Sequence, residues 1–516
     1  SMILTVNDNS NHVYSVRAKD TTGNFSTAIS KSVTVYSKPV IISELAWAGT
    51  TASAQDEWVE LYNPTDKSIN LANIILYSST DLKPYLPLSG TIPAKGYFLI
   101  EALSDSAVGD LAADLVAPLS AWGASLNDTG EEISLALVAS GATTTLDRVP
   151  LCANWCNKGS AAGNRPTLER EDSSTIDSNL TNMGTNIEAI KNNKDRNGSA
   201  LAGTPKTRNS VSYLINRNQD ISSSLTVAAT GSPYLVNGRM MIVQAGKTLT
   251  IEPGVVIKFN SGAGMAVDGI LSAQATAASP ITFTSLTDDT FGGDLNRNGA
   301  GTTPASGDWS GIEINSTSQN STLDSTTIRY GGAGLRLANL SIDTADVTVR
   351  GSIVEHSKVH GIYITDSASS SITNSIFRNN TGDNSSSGIT GDRGSPTISG
   401  NTFQNNRFGL LFSNSGAIVS GNTFTGNVFA IDWTDKIGGR IENNNGSGNT
   451  TNALSIAGNI TASGATTTLS KNSLPYIVNV ADIRSVTGAA LEVEPGVVIK
   501  LQGRRLTVNG TLYLKG

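Results

Sequence analysis

The sequence predicts an all-β chain, a β-sandwich followed by a parallel β-helix solenoid. Three observations predict it. Apolar residues fall in short alternating runs bounded by Gly, Pro, Asn and Asp. A repeat aligns Gly334, Gly361, Gly388, Gly409 and Ala430 in steps of 27, 27, 21 and 21 residues, too short to hold a crossover helix. Two longer segments recur at an offset of 242: Pro233-Tyr-Leu-Val-Asn237 as Pro475-Tyr-Ile-Val-Asn479, and Glu252-Pro-Gly-Val-Val-Ile-Lys258 as Glu494-Pro-Gly-Val-Val-Ile-Lys500.

Residues 1–38 hold two alternating runs, 13–18 and 28–35, around the turn-rich stretch 19–24, which predicts a hairpin. It resembles the last two strands of a fibronectin type III or Ig-like domain. Residues 39–210 carry strand-like runs at 40–45, 57–62, 74–77, 97–100 and 133–137, with turn signals at Asn63-Pro64, 93–96 and 127–130. Short strands with regular turns predict a sandwich. Ile42-Ser-Glu-Leu45, Glu57-Trp-Val-Glu-Leu-Tyr-Asn63, Ile92-Pro-Ala-Lys-Gly-Tyr97, Leu126-Asn-Asp-Thr-Gly130, Leu168-Glu-Arg-Glu171 and Gly203-Thr-Pro205 give this segment a resemblance to lamin-tail domains. The resemblance implies an Ig-like fold and an accessory role in large exported bacterial proteins, with no chemistry of its own. Glu44, Glu57 and Glu60 flank core strands, and Arg148 or Arg170 is the expected partner.

Residues 211–455 are expected to form the β-helix, and residues 456–516 the start of a second, truncated unit. The chain is therefore expected to be a segment of a larger protein. A second ladder, Thr327-Ile328, Ser352-Ile353, Ser375-Ile376, Thr402-Phe403 and Thr423-Phe424, precedes the first. Each coil stacks on the last, inward Ile, Leu and Phe build the core, and Asn can carry hydrogen bonds up the turns. Leu249-Thr-Ile-Glu-Pro-Gly254, Ser279-Pro-Ile-Thr-Phe283 and Gly307-Asp-Trp-Ser-Gly311 add a resemblance to right-handed parallel β-helix repeats of secreted bacterial proteins.

A net charge of −7 without a Lys/Arg run argues against nucleic-acid binding. No stretch of 18 apolar residues predicts membrane insertion in this segment. Cys152 and Cys156, the two cysteines, read as a local disulfide in an exported chain or as two thiols; a zinc site would need more ligands. Asp294-Leu-Asn296-Arg-Asn298-Gly299 fits the first half of a Ca²⁺ loop, with Asp288, Asp289 and Asp308 to complete the shell; the usual Glu is replaced by Ala305. An Asn/Gly-rich surface loop is the alternative. The ladder aligns Asn339, Asp366, Arg393, Asn414 and Asp435 as a polar column, beside outward Arg336, Tyr363, Thr390, Leu411 and Asp432. Tyr363, Asp366, Asp392, Arg393 and Asp435 are the expected ligand contacts, Tyr363 offering a ring face to a sugar. Asp366 and Asp435 lie three coils apart, roughly 14 Å at ~4.8 Å per coil, too far for a glycosidase pair. His356 and His360 lie outside any H-E-x-x-H, and no Ser sits in G-x-S-x-G.

These features predict a non-enzymatic structural or adhesive module of a large exported bacterial protein, extracellular or at the cell surface. Its expected partners are polysaccharide or other surface proteins. The rival is a polysaccharide-active lyase or hydrolase using a groove on the β-helix. A compact carboxylate cluster in that groove discriminates the two.

Overall fold

The computed structural model describes residues 10–35, 39–80, 82–139, 141–172, 180–366, 369–435, 437, 439–461 and 463–516. Contacts divide the chain into Ser1–Ser212 and Tyr213–Gly516. In the first unit Ser10–Val16 pairs antiparallel with Ile29–Val35. Six further strands form one sheet, in the order Leu115–Ala117, Tyr97–Ala102, Trp58–Tyr62, Ile41–Ala46, Leu168–Arg170 and Met183–Thr185. Four form another, Ala142–Val149, Ile133–Ala139, Ile74–Ser78 and Tyr85–Pro87. Ile42, Leu45, Val59 and Leu61 of the first sheet share one buried core with Ile74, Leu76, Ile133 and Leu135 of the second, so the two sheets form a sandwich.

The outer face of the larger sheet is also covered, and it carries carboxylates. Strand register sets Glu169 beside Glu44 and Glu44 beside Glu60, and all three are fully buried. The expected arginines pair elsewhere: Arg170 with Asp147 at 2.6 Å and Arg148 with Glu132 at 3.8 Å. Neutral donors from residues distant in sequence take their place. Thr167 Oγ1 (2.5 Å) and Thr204 N (2.9 Å) donate to Glu44; Ser210 Oγ (2.5 Å) and Asn186 Nδ2 (2.6 Å) donate to Glu169; the Lys206 amide donates to Glu60. Burial raises all three carboxyl pKa values, and repulsion from Glu169 adds to the effect at Glu44. Cys152 and Cys156 are disulfide-bonded, with Cα atoms 5.4 Å apart. Between them Trp155 is buried and stacks on Trp47, centroids 5.9 Å apart.

The second unit is a parallel β-helix with three sheets. The first sheet runs through twelve strands, from Leu225–Val227 to Thr511–Leu514. The second runs through nine, from Tyr234–Val236 to Asn445–Ser447, and the third starts at Met240–Val243. Along the third sheet Gly361, Gly388, Gly409 and Ala430 stand in register. Phe377, Phe403 and Phe424 stack inside the coils at 5.0 and 4.9 Å. A Cβ on Gly388 would lie 2.6 Å from Phe403, and one on Gly409 would lie 2.5 Å from Phe424. The repeated glycines thus make room for the rings. Two buried asparagine ladders run up the turns: Asn380, Asn406, Asn427 and Asn449, and Asn401, Asn422, Asn444 and Asn472. In each step the upper Oδ1 accepts from both the backbone and the side-chain amide of the Asn below, as Asn422 does from Asn401 at 2.9 and 3.0 Å.

Three expectations need correction. Gly334 is not on the glycine ladder; Asn339 takes that register, because residues 331–337 bulge out as a loop. Ile353 and Ile376 do not point inward. Val354 and Phe377 do, each pair being apolar at both positions, so alternation leaves the face open. The boundary expected at 455/456 falls inside the strand Thr451–Thr461, and the solenoid continues through it. The second copy is nevertheless out of phase. Tyr234–Val236 belongs to the second sheet, whereas its counterpart Tyr476–Val478 pairs with Leu454 and Ser455 of the third.

Candidate functional site

The outer face of the third sheet carries the site. In the strands Ile312–Ile314, Ala338–Asp343 and His360–Thr365, the residues Ile312, Ile314, Leu340, Ile342, Ile362 and Ile364 are buried in the core. Alternation turns Glu313, Ser341 and Tyr363 outward in one register column, with Asp343 and Thr365 in the next. The loop 331–337 brings Leu335, 92% exposed, and Arg336 over these strands. Together they enclose a cleft of about 170 Å³.

Within the cleft the Arg336 guanidinium lies 5.3 Å from the Tyr363 ring centroid. Burial pushes the Glu313 carboxyl up, opposed by Arg336. Asp343 accepts from Thr365 Oγ1 at 2.8 Å and Thr344 Oγ1 at 3.1 Å. His360, behind Tyr363 at 5.5 Å, contacts Ser387 Oγ at 2.9 Å, and burial lowers its pKa to about 4, so it is neutral at pH 7.

Of the expected contacts, only Tyr363 lines this cleft. Asp366, Arg393, Asn414 and Asp435 do share a column. Each follows a third-sheet strand in the left-handed region, with φ of 52°, 61°, 52° and 53°. Asn339 does not join them: it is buried and bonds to Gly331 N, Ile328 O and Glu355 O, and Thr344 stands in its place. Arg393 forms an exposed triad with Asp366 (3.0 Å) and Asp392 (3.2 Å). Asp435 lies beyond Asn414 and accepts from Asn459 N at 3.4 Å. Glu313 and Asp343 were not expected. Gly311-Ile-Glu-Ile314 repeats the pattern of Gly361-Ile-Tyr-Ile364, but the insertion between Ser285 and Ile312 hides the coil it belongs to.

The loop expected to bind Ca²⁺ ties up most of its polar groups internally, while Asp289 Oδ1 and Asn296 Oδ1 are buried without a hydrogen-bond partner. Asp288 accepts from Thr284 Oγ1 and Thr290 Oγ1, both at 2.5 Å. Asp308 accepts from Ser285 Oγ (2.7 Å) and Thr287 Oγ1 (2.9 Å). Asp294 caps Gly299 N at 2.7 Å, while Asn296 and Asn298 both donate to Thr302 Oγ1. Asp289 is raised by burial and by Asp294, and lowered by Lys258. Among the described residues no three His, Cys, Asp or Glu side chains converge on a point that could hold a metal ion.

Three comparisons with known proteins give partial likenesses. A family model described as periplasmic copper-binding protein (NosD) matches residues 291–475, about a third of the chain. The Drosophila melanogaster Protein bark beetle is 36% identical over 78 residues; the chain spans 2% of that protein's length. Among solved structures, an alginate lyase from Paenibacillus sp. str. FPU-7 is 15% identical, with a TM-score of 0.23, covering 51% of this chain and 93% of that one. A Yersinia enterocolitica family 28 exopolygalacturonase is 10% identical, with a TM-score of 0.26, covering 92% and 98%. At such TM-scores neither likeness bears on activity.

Copper sites are built from thiolate, thioether and imidazole donors. Residues 291–475 contain no Cys and no Met, and their two histidines are engaged elsewhere: His356 stacks on Tyr330 at 5.3 Å and His360 contacts Ser387. The residues present do not fit copper. Adding Cu²⁺ to metal-free protein is expected to leave its melting temperature unchanged and no stoichiometric metal bound after gel filtration. A rise of several degrees with Cu²⁺ would overturn this reading of the donor set. What the matched segment shares with the family is the stacked β-helix frame, which in this chain carries a polar cleft on its third sheet.

Proposed function

We propose that this chain is a non-catalytic structural module of an exported protein, whose third-sheet face contacts carbohydrate. The observation that carries the reading is the cleft at Tyr363, where an aromatic face, an exposed Leu335 and hydrogen-bonding Glu313, Asp343 and Arg336 surround one cavity. Sugar rings present apolar faces and hydroxyl edges, which call for this mixture. The disulfide and the periplasmic description of the matched family support export. The first unit serves as an Ig-like accessory domain of lamin-tail type, and the whole sits at the cell surface or beyond.

One aromatic ring gives little apolar drive, so affinity is expected on the order of millimolar. A glycan array probed with the full chain is expected to give weak hits that Tyr363→Ala removes and Arg393→Ala leaves largely intact. An array without hits, or hits indifferent to Tyr363→Ala, would remove this face as a site.

A second reading, polysaccharide hydrolysis, has one observation in its favour. Glu313 and Asp343 are diagonal neighbours on adjacent strands of one outward face, with Cα atoms about 7–8 Å apart by sheet geometry, so the cleft holds two carboxylates, the pair that glycoside hydrolysis uses. Release of reducing ends from any bound polymer, lost in Glu313→Gln, would replace the binding reading with this one.

A further inference from the structure

The charge pattern of the third-sheet face selects among carbohydrates. Its outward columns and the adjoining turn carry Asp268, Glu313, Asp343, Asp366, Asp392, Asp432 and Asp435. Against them stand Arg336, Arg393 and, at the far end of the column, Lys500, so over these columns the balance is 3 − 7 = −4. Arg393 is already shared between Asp366 and Asp392. A uronate brought to it would meet two carboxylates with its own. Inside the cleft two carboxylates again outnumber one guanidinium, and that guanidinium occupies the Tyr363 ring as a cation. With two carboxylates against one guanidinium the cleft keeps a net negative field, which favours a cationic ligand over a neutral or anionic one.

Resting on the carbohydrate reading above, we infer that the cleft takes a cationic sugar, a polymer of unacetylated amino sugars, with its ammonium groups between Glu313 and Asp343 and its ring against Tyr363. Neutral N-acetylated sugars would lose the ion pairs, and polyuronates would be repelled along the whole column. The same columns extend the attraction over successive coils, so binding should weaken steeply with salt.

The test titrates the full chain with a glucosamine oligomer, its N-acetylated counterpart and an oligogalacturonate, at about pH 6, where amines are charged, in low and high salt. The glucosamine oligomer is expected to bind at least about tenfold more tightly than the acetylated one, about 1.4 kcal/mol, and the oligogalacturonate not at all. Glu313→Gln with Asp343→Asn should abolish the preference. Arg336→Gln, which removes the competing cation, should tighten glucosamine binding, an outcome that misfolding cannot imitate. Equal binding of the acetylated and free oligomers, or tighter binding of oligogalacturonate, overturns the selectivity and leaves the carbohydrate reading standing. If none of the three binds, both fall.

Discussion

Asn422→Ala is expected to destabilise the solenoid by about 3–5 kcal/mol, more than most single substitutions do. Asn422 is fully buried, and its side chain closes four hydrogen bonds: it accepts from Asn401 N and Nδ2 and donates to Ile398 O and Asn444 Oδ1. Alanine leaves those partners inside the protein without replacements, each at about 1–3 kcal/mol when buried and unpaired. Asn422→Asp keeps the acceptor but cannot donate, and it places a charge against Asn444 Oδ1; it should be at least as damaging. Urea unfolding followed by far-UV circular dichroism would measure both. A loss under about 1 kcal/mol for Asn422→Ala would mean that water fills the ladder, and that the stacked amides are not what orders the turns.

Raising the pH from 5 to 8 is expected to destabilise the sandwich, the reverse of ordinary acid-labile behaviour. Glu57 is 2% exposed, and burial lifts its carboxyl from 4.5 to about 8, against the pull of hydrogen bonds from Trp122 Nε1 and Leu126 N, both at 2.8 Å. Between those two values the folded state holds a proton that the unfolded chain has released. The stability contributed by this group is therefore full below about pH 4.5 and lost as pH climbs towards 8. At about 1.4 kcal/mol per pH unit the loss is on the order of 4–5 kcal/mol. Glu44, Glu60 and Glu169 are shifted the same way and add to it. Calorimetry of the full chain at pH 5 and pH 8 should show the sandwich melting lower at pH 8. Glu57→Gln, which still accepts from Trp122, should narrow the gap. A sandwich equally stable at both pH values would show that these carboxylates ionise freely in the fold.

The β-helix was legible because its repeat is local. Each Gly-Ile or Gly-Leu pair marks a strand whose neighbours above and below recur within 21 to 27 residues. The site was less legible, because the coil that supplies Glu313 is separated from its predecessor by the insertion after Ser285, and period alone cannot bridge an insertion of unknown length. Ile353 and Ile376 show a second limit: where both members of a pair are apolar, only packing chooses the inward one. The carboxylate row in the sandwich shows a third. Glu60 alternates with Trp58 and Tyr62 as if on a half-exposed face, and only the return of residues 186–211 across that face buries it.

The eleven-residue strand Thr451–Thr461 spans two corners of the coil. Its first half receives Tyr476–Val478, its second half receives Ile483–Ser485, and the second sheet stops at Asn445–Ser447 just before it. The outward column that passes from Ile242 through Ala266, Glu313, Tyr363, Leu411 and Asp432 to Ser455 therefore runs on in register to Ile477 and Lys500, on strands whose counterparts in the first copy lie at a different corner of the coil. Ten steps at ~4.8 Å give the strip a length of roughly 48 Å. A linear ligand longer than that must leave the surface or bend, so affinity for oligomers of increasing length should rise and then level off at the number of sugar units this strip can seat.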